Sequence, residues 1–364
     1  MYFIKYNNNN NNNNIHNIIK KSKIHKIKFT MCNLFPTNLI QSIIGFVHRT
    51  HNYNYNINKH IIKLKNGGQI SVSFISKNKL YNGPIIIICP GLGNNSLYNI
   101  GVINSLINNL YNNNLKIAFI NYQGMDTPLT SPNIFCGAYI GTNDLTDAFK
   151  YIRKLNPKNK FIVIAISFGS AMFTNWACRN IKLCKEINIS CGIMLAHGYS
   201  LKSTLENISN KYFGIISKFL LNNIKKIIIN KKNIDYLNSL EQSNKYPNFK
   251  VNNLINSSNL KEWEIACLPL YKYKSIEHMY SLCDSYNKLC NIPIYMCYIN
   301  SLNDPICLSS LLLNSKLLNN NKTIFICTSK GGHLGWIDYL RKYNGICWLT
   351  KIIYKLIICF IKYN

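Results

Sequence analysis

Ser167, Asp304 and His333 stand in three short segments, AISFGS, NSLNDP and SKGGHLG. Each follows an apolar run: FIVIAI, IPIYMCYI and KTIFICT. A hydroxyl, a carboxylate and an imidazole in that chain order, each on a loop past a buried strand, suit one chemistry. The imidazole takes the serine proton and the carboxylate orients the imidazole. That is nucleophilic acyl transfer, most simply ester hydrolysis.

Ser167 lies in A-I-S-F-G, one residue from G-x-S-x-G. A nucleophile on a strained strand-to-helix turn needs small neighbours, because side chains there collide. Ala165 replaces the first glycine and Gly169 keeps the last, with Ser170 and Ala171 beyond. The bland reading, a serine that only caps a helix, does not explain the six apolar residues before it. An oxyanion needs two backbone N–H donors. Phe168 follows the nucleophile, and Leu92 sits in the loop C-P-G-L-G after an earlier strand. The rival reading of GLGNNS as a dinucleotide turn fails. Ser96 occupies the third glycine position, and the next strand ends in Asn121 rather than an acid.

Asp304 precedes Pro305, which stops the strand ladder. Asp-Pro is also a common turn pair, but this one falls between nucleophile and histidine. Asp284 is the runner-up, within a helical stretch. His333 follows Gly331-Gly332 and is the candidate general base. His197, in L-A-H-G-Y, comes too early and reads as a pocket-lining or satisfied polar residue. His278 lies in the helical region. His333 and Asp338 also match an H-x-x-x-x-D acyltransferase pattern, which the triad role of His333 makes a coincidence.

These residues need a frame of strands and helices. HIIKLKNGGQISVSF reads as a hairpin turning at Gly67-Gly68. PIIIICPG, KIAFINY, FIVIAI and INISCGIMLAHG are continuous apolar strands. Helices follow at NIGVINSLINNLYNN, at NDLTDAFKYIRKL with Asn143 or Asp144 as its cap, and from Gly169 to Arg179. Such alternation predicts a mostly parallel sheet covered on both faces. From Leu201 to Leu289 the chain turns helical and Lys/Asn/Tyr-rich, an insertion of lid size before the strand IPIYMCYI. Its aromatics, Tyr212, Phe213, Phe219, Trp263, Tyr271, Tyr273 and Tyr280, are expected either to line an apolar acyl site or to hold the lid onto the core.

The chain has 364 residues, 47% hydrophobic, and a formal charge of +29. Nucleic-acid binding is not the reading: the lysines are scattered among Asn, Ile and Tyr rather than gathered in an aromatic-interleaved stripe. Peripheral contact with an anionic membrane is left open. The 14 cysteines include no C-x-x-C and sit mostly in apolar elements, so no metal or cofactor is expected and a reducing compartment is. No secretory signal pattern and no clear membrane span is present, giving an intracellular, cytoplasmic or peripherally membrane-associated protein. Residues 1–28 read as a disordered Asn- and Lys-rich tail before one domain over 29–364. Asn38 to His48 reads as an amphipathic helix on the domain or on a membrane, and Ile346–Ile361 as a core-packed final helix.

Together these segments resemble the AB hydrolase-4 family of serine esterase and lipase-type hydrolases. The similar stretches are P-G-L-G at Pro90, N-Y-Q-G at Asn121, P-L-T-S-P-N-I-F at Pro128 and N-D-L at Asn143. They continue with S-F-G-S at Ser167, L-N-D-P at Leu302 and G-G-H-L-G-W at Gly331. K-E-W-E-I at Lys261 and the aromatic stretch Tyr271–Tyr280 resemble the family's lid. The resemblance runs from about Lys59 to Leu340. It implies an α/β-hydrolase fold with a helical lid, the triad Ser167, Asp304 and His333, and acyl esters as substrates, acylglycerols among them. Ala165 departs from the family glycine. Gln123-Gly124-Met125 departs from its usual arginine and glycines, which touches the pocket entrance. An acyltransferase on the same fold and a non-catalytic binding module are the alternatives. The second is disfavoured because no triad residue is lost.

Overall fold

The computed structural model describes residues 2–6, 13–32, 34–47, 55–78, 81–92, 101–134, 144–308, 320–338 and 348–363. The chain opens with β1 (Tyr2–Tyr6), α1 (Asn13–Ser22) and α2 (Asn38–Val47). The hairpin β2 (Ile57–Lys63) and β3 (Gln69–Ile75) follows, then β4 (Ile85–Cys89), α3 (Gly101–Asn112), β5 (Lys116–Asn121) and α4 (Asp144–Leu155). Next come β6 (Phe161–Ile166), α5 (Phe168–Arg179), α6 (Ile181–Glu186) and β7 (Ile189–Leu195). Six helices then intervene: α7 (Leu201–Asn210), α8 (Ile215–Ile228), α9 (Lys231–Gln242), α10 (Val251–Asn256), α11 (Leu260–Cys267) and α12 (Ile276–Cys283). The chain returns as β8 (Tyr295–Ser301) and β9 (Thr323–Thr328) and ends on α13 (Trp348–Tyr363).

The nine strands of the described residues form one sheet in the order β1-β9-β8-β7-β6-β4-β5-β3-β2. The pairings from β5 across to β9 are parallel, and only the edges run antiparallel. The inner strands are mostly apolar and buried because helices cover both faces. Ile85, Ile86, Ile87, Ile88 and Cys89 of β4 are wholly buried. On one face Phe149 of α4 packs edge-on and tilted against Phe173 and Trp176 of α5, which stack on each other. On the other, α3 and α13 pack Leu106, Trp348, Ile352 and Leu356 against Ile86, Ile164 and Ile193. The final helix is therefore a core helix. α4 carries Asp144 and Asp147 in its first turn and Arg153 and Lys154 in its last, matching its dipole. The Asp144 carboxylate accepts from Gln123 and Asn66. Asn143 lies outside the described residues.

The tail expected to be disordered over 1–28 is ordered in its described parts. β1 adds an antiparallel strand to β9, from Tyr2 opposite Thr328 to Tyr6 opposite Ile324. α1 lies on α13 and buries Ile15, Ile18 and Ile19, with Ile24 just beyond. The Asn-rich composition hid an i, i+3, i+4 isoleucine stripe, which suffices for a docked helix. No helix among the described residues is long and apolar enough to cross a membrane.

Candidate active site

Ser167 sits at the end of β6 with φ 50° and ψ −116°, just before α5. That backbone is strained for a residue with a Cβ, and the surroundings hold it. Ser167 N–H bonds Leu195 O at 2.8 Å. A Cβ on Gly169 would come within 2.3 Å of Pro90 O, so α5 can leave the strand this steeply only with glycine there. Ala165 is fully buried in β6, where its methyl is tolerated in place of the usual glycine.

His333 Nε2 is 2.9 Å from Ser167 Oγ, and His333 Nδ1 is 2.8 Å from Asp304 Oδ2. A carboxylate only accepts, so Nδ1 donates to Asp304 and Nε2 is left to accept from the serine hydroxyl. The other Asp304 oxygen accepts from Ile306 N at 2.7 Å and Cys307 N at 2.9 Å, fixing the carboxylate. Pro305 keeps this turn out of the ladder. The three residues singled out from sequence are thus brought into one hydrogen-bonded line. Leu92 and Phe168 flank it in the wall of the same cavity, and a Cβ on Gly91 would lie 3.3 Å from Ser167 Cβ. Phe168 opens α5, whose N-terminal amides and dipole face the serine. Gly93 lies outside the described residues.

One support was read from sequence as a helix but not as a brace. α2 packs directly on the His333 loop. Thr37 caps this helix, its hydroxyl accepting from Ile40 N at 3.2 Å. Ser42 Oγ accepts the His333 backbone N–H at 2.8 Å and donates to Asn38 O at 2.7 Å. Buried Gln41 accepts from Ile337 N at 2.9 Å. Helix and loop approach through glycines: a Cβ on Gly45 would sit 2.4 Å from Leu334 O, and one on Gly335 2.6 Å from Gln41 O. The loop needs this clamp, since Gly331, Gly332, Leu334 and Trp336 all have positive φ.

The remaining candidates fall elsewhere. His197 is wholly buried, with Nδ1 2.9 Å from Ser170 Oγ and Nε2 2.8 Å from Ser285 Oγ. Burial lowers its pKa to about 3, so it stays neutral and links the first turn of α5 to the end of the helical insertion. Asp284 accepts from Leu201 N at 2.7 Å, closing the neck of that insertion. His278 accepts from Lys274 N at 3.1 Å, away from the triad. Asp304, Cys307 and His333 are the one group of possible metal donors among the described residues. The pair in the hydrogen-bonded line is already engaged, and burial followed by the Asp304 charge pushes the Cys307 thiol well up, making it a poor metal donor. Gln123, Gly124 and Met125 are not at the pocket entrance: Gln123 joins Asp144 and Ser131 in a buried polar network, and Met125 packs in the core.

The cavity has a volume of about 350 Å³. Leu39, Ile43, Leu205, Ile208 and Ile216 give it an apolar wall, with Glu264 as its one acid among the described lining residues. Of the seven insertion aromatics, only Phe219 lines it. Trp263 is wholly buried in the cluster shared with the sheet, and Tyr271 donates to Ile134 O at 2.5 Å, so these rings mainly hold the insertion onto the core. The pocket is mostly aliphatic because α2 and α7, and α8 through Ile215, Ile216 and Leu220, turn branched side chains to it.

A sequence model of the alpha/beta hydrolase fold matches residues 84–350. The chain belongs to this family. It is 23% identical over 279 residues to a zebrafish (Danio rerio) protein named monoacylglycerol lipase ABHD2, covering 74% of this chain and 62% of that one. It is 24% identical to the monoacylglycerol lipase of Saccharomyces cerevisiae, over 57% of this chain and 44% of that one. The chain thus spans less than two thirds of the length of these relatives. Among solved structures, a puromycin hydrolase superposes with a TM-score of 0.50 at 9% identity, over 85% of this chain and 39% of that one, a likeness of fold alone.

Proposed function

We propose that the chain is a serine hydrolase of apolar acyl esters, monoacylglycerols foremost. The observation that carries this is the line Ser167–His333–Asp304 opening into an aliphatic cavity. Ser167 Oγ attacks the ester carbonyl while His333 Nε2 takes its proton. Asp304 holds the imidazole in the productive tautomer and stabilises it once charged. The amides of Leu92 and Phe168 receive the negative charge that forms on the carbonyl oxygen. His333 then protonates the departing alcohol, leaving an acyl-Ser167 ester. Water, deprotonated by the same imidazole, releases the acid and restores the serine. Residues 201–289 act as a lid, screening the acyl-enzyme from bulk water. The names of the relatives support the acylglycerol class, and the aliphatic wall supports a long acyl chain.

The test is turnover on p-nitrophenyl esters of rising chain length, and on monoacylglycerols in detergent. Each methylene buried in the cavity contributes about 0.8 kcal/mol, so kcat/KM rises with chain length to a plateau. A profile flat or falling from acetate upward rejects the acyl-pocket reading while leaving the triad in place.

A further inference from the structure

The mouth of the cavity is ringed by exposed apolar side chains of the described residues. Ile43 on α2 is 51% exposed, and Ile40, one turn before it, 38%. Across the opening Ile215 is 61% and Phe219 47% exposed on α8. Phe46 of α2 meets Phe219 edge-on at 5.4 Å, so the helices form one rim. Tyr212 OH, donating to Asn38 Oδ1 at 2.9 Å, ties the turn before α8 to the start of α2. The same turn holds Tyr212 and Phe213 at φ 52° and 54°, a costly conformation for aromatics. Its result is Phe213 thrust out beside Ile215, 96% exposed. A strained turn that presents a phenylalanine to solvent has no account in the fold of the isolated chain.

Charge selects the occupant. Along α8 the outward face reads Ile215, Lys218, Phe219, Asn222 and Lys226, with Lys211 just before it, all exposed. No acidic residue lies between Glu206 and Asp235, and residues 31–47 carry no charge at all. A second copy of this face would bring lysines against lysines. An anionic bilayer instead takes the protruding apolar groups among its acyl chains and the lysines at its phosphates.

We propose that α2 and the Lys211–Lys226 segment dock on an anionic phospholipid bilayer, placing the cavity mouth at the lipid surface. Phe213, Ile215 and Ile43 enter the interface, and Lys211, Lys218 and Lys226 face the headgroups. An apolar ester then passes from bilayer to cavity without crossing water. This rests on the ester-hydrolase reading for its substrate, but not for the docking itself.

The experiment is co-sedimentation of the full chain, carrying Ser167→Ala so that no lipid is consumed, with phosphatidylcholine vesicles with and without phosphatidylserine. The chain binds the anionic vesicles more tightly, and added salt weakens the binding. Phe213→Asp lowers the partition coefficient at least about tenfold, since it loses a buried phenyl and adds a repelled charge. Aspartate tolerates positive φ, so the fold is kept. In the otherwise native enzyme, Phe213→Asp leaves turnover of a soluble short-chain ester unchanged, because Phe213 does not line the cavity. Ile181→Asp, at a 46% exposed isoleucine on α6, leaves vesicle binding unchanged. No binding to anionic vesicles, or binding indifferent to Phe213→Asp, overturns the proposal. A concentration-dependent dimer that Phe213→Asp dissolves also overturns it, and assigns the face to a second copy. Vesicle binding that depends on Phe213, in a chain with no ester turnover, supports the surface and removes the reading of the site instead.

Discussion

Ser167 and His333 lie 2.9 Å apart, yet they are held in opposite ways. The serine is set by what immediately flanks it: a wholly buried strand before, a helix after, and Gly169 against the end of β4. The histidine sits in a loop with positive φ at Gly331, Gly332, Leu334 and Trp336, and is held from outside by a helix 291 residues earlier in sequence. A nucleophile at the centre of a parallel sheet inherits the rigidity of the sheet. A base on a loop with four positive-φ residues must borrow rigidity, and this chain takes it from α2.

The comparison breaks first at its shared member. Asp304→Asn keeps the shape but lets the imidazole adopt the wrong tautomer, and kcat falls on the order of 10⁴-fold with the melting temperature little changed. A fall of tenfold or less, measured on a soluble ester, would mean that Asp304 is not what orients His333.

Deleting residues 1–28 separates stability from the brace. It removes β1 and exposes the pockets of Ile15, Ile18 and Ile19, each contributing about 1.5–3 kcal/mol, for a loss on the order of 5 kcal/mol. Calorimetry should show a melting temperature lowered by on the order of 10 °C, with kcat well below the transition retained because α2 remains. An unchanged melting temperature would return this segment to a dispensable tail.

The nucleophile side carries its own pH signature through His197. Its ordinary pKa of 6.5 drops to about 3 on burial, so between those values the unfolded chain holds a proton that the folded chain lacks. Stability is therefore complete above pH 6.5 and declines as the pH falls towards 3, by about 1.4 kcal/mol per unit and roughly 2 kcal/mol by pH 5. Denaturant melts of the native chain and of His197→Asn check this, the variant showing the flatter profile.

The smallest effect is at the brace. Ser42→Ala removes the acceptor of the His333 amide, and kcat falls about tenfold with KM little moved, while Ser42→Thr restores most of it. Equal losses in Ser42→Ala and Ser42→Thr would mean that packing, not the hydrogen bond, holds the loop.

The asymmetry also explains what could be read from sequence. The sheet, the elbow at Ser167 and the loops bearing Asp304 and His333 were legible because each is written in a contiguous run: an apolar strand, then small or turn residues. α2 was legible as an amphipathic helix but not as a brace, since Ser42 and Gly45 acquire meaning only against Leu334 and Gly335. α1 was missed because the Asn-rich tract before it set the reading of the whole tail, while three isoleucines of its own do the packing. Type alone left the insertion aromatics two places, the pocket or the packing of lid on core, and Trp263 and Tyr280 lie buried in the cluster that joins the insertion to the sheet. Local patterns reveal elements; which face meets which neighbour is decided by contacts distant in sequence.

The central claim is that Ser167 is the activated nucleophile, and covalent labelling tests it most directly. A fluorophosphonate probe applied to the folded chain, followed by peptide mass spectrometry, should place the adduct on Ser167 alone. Neighbouring Ser170 and Ser42 should carry none, and Ser167→Ala should abolish labelling along with ester turnover. An adduct elsewhere, or labelling and turnover that persist in Ser167→Ala, would contradict the account.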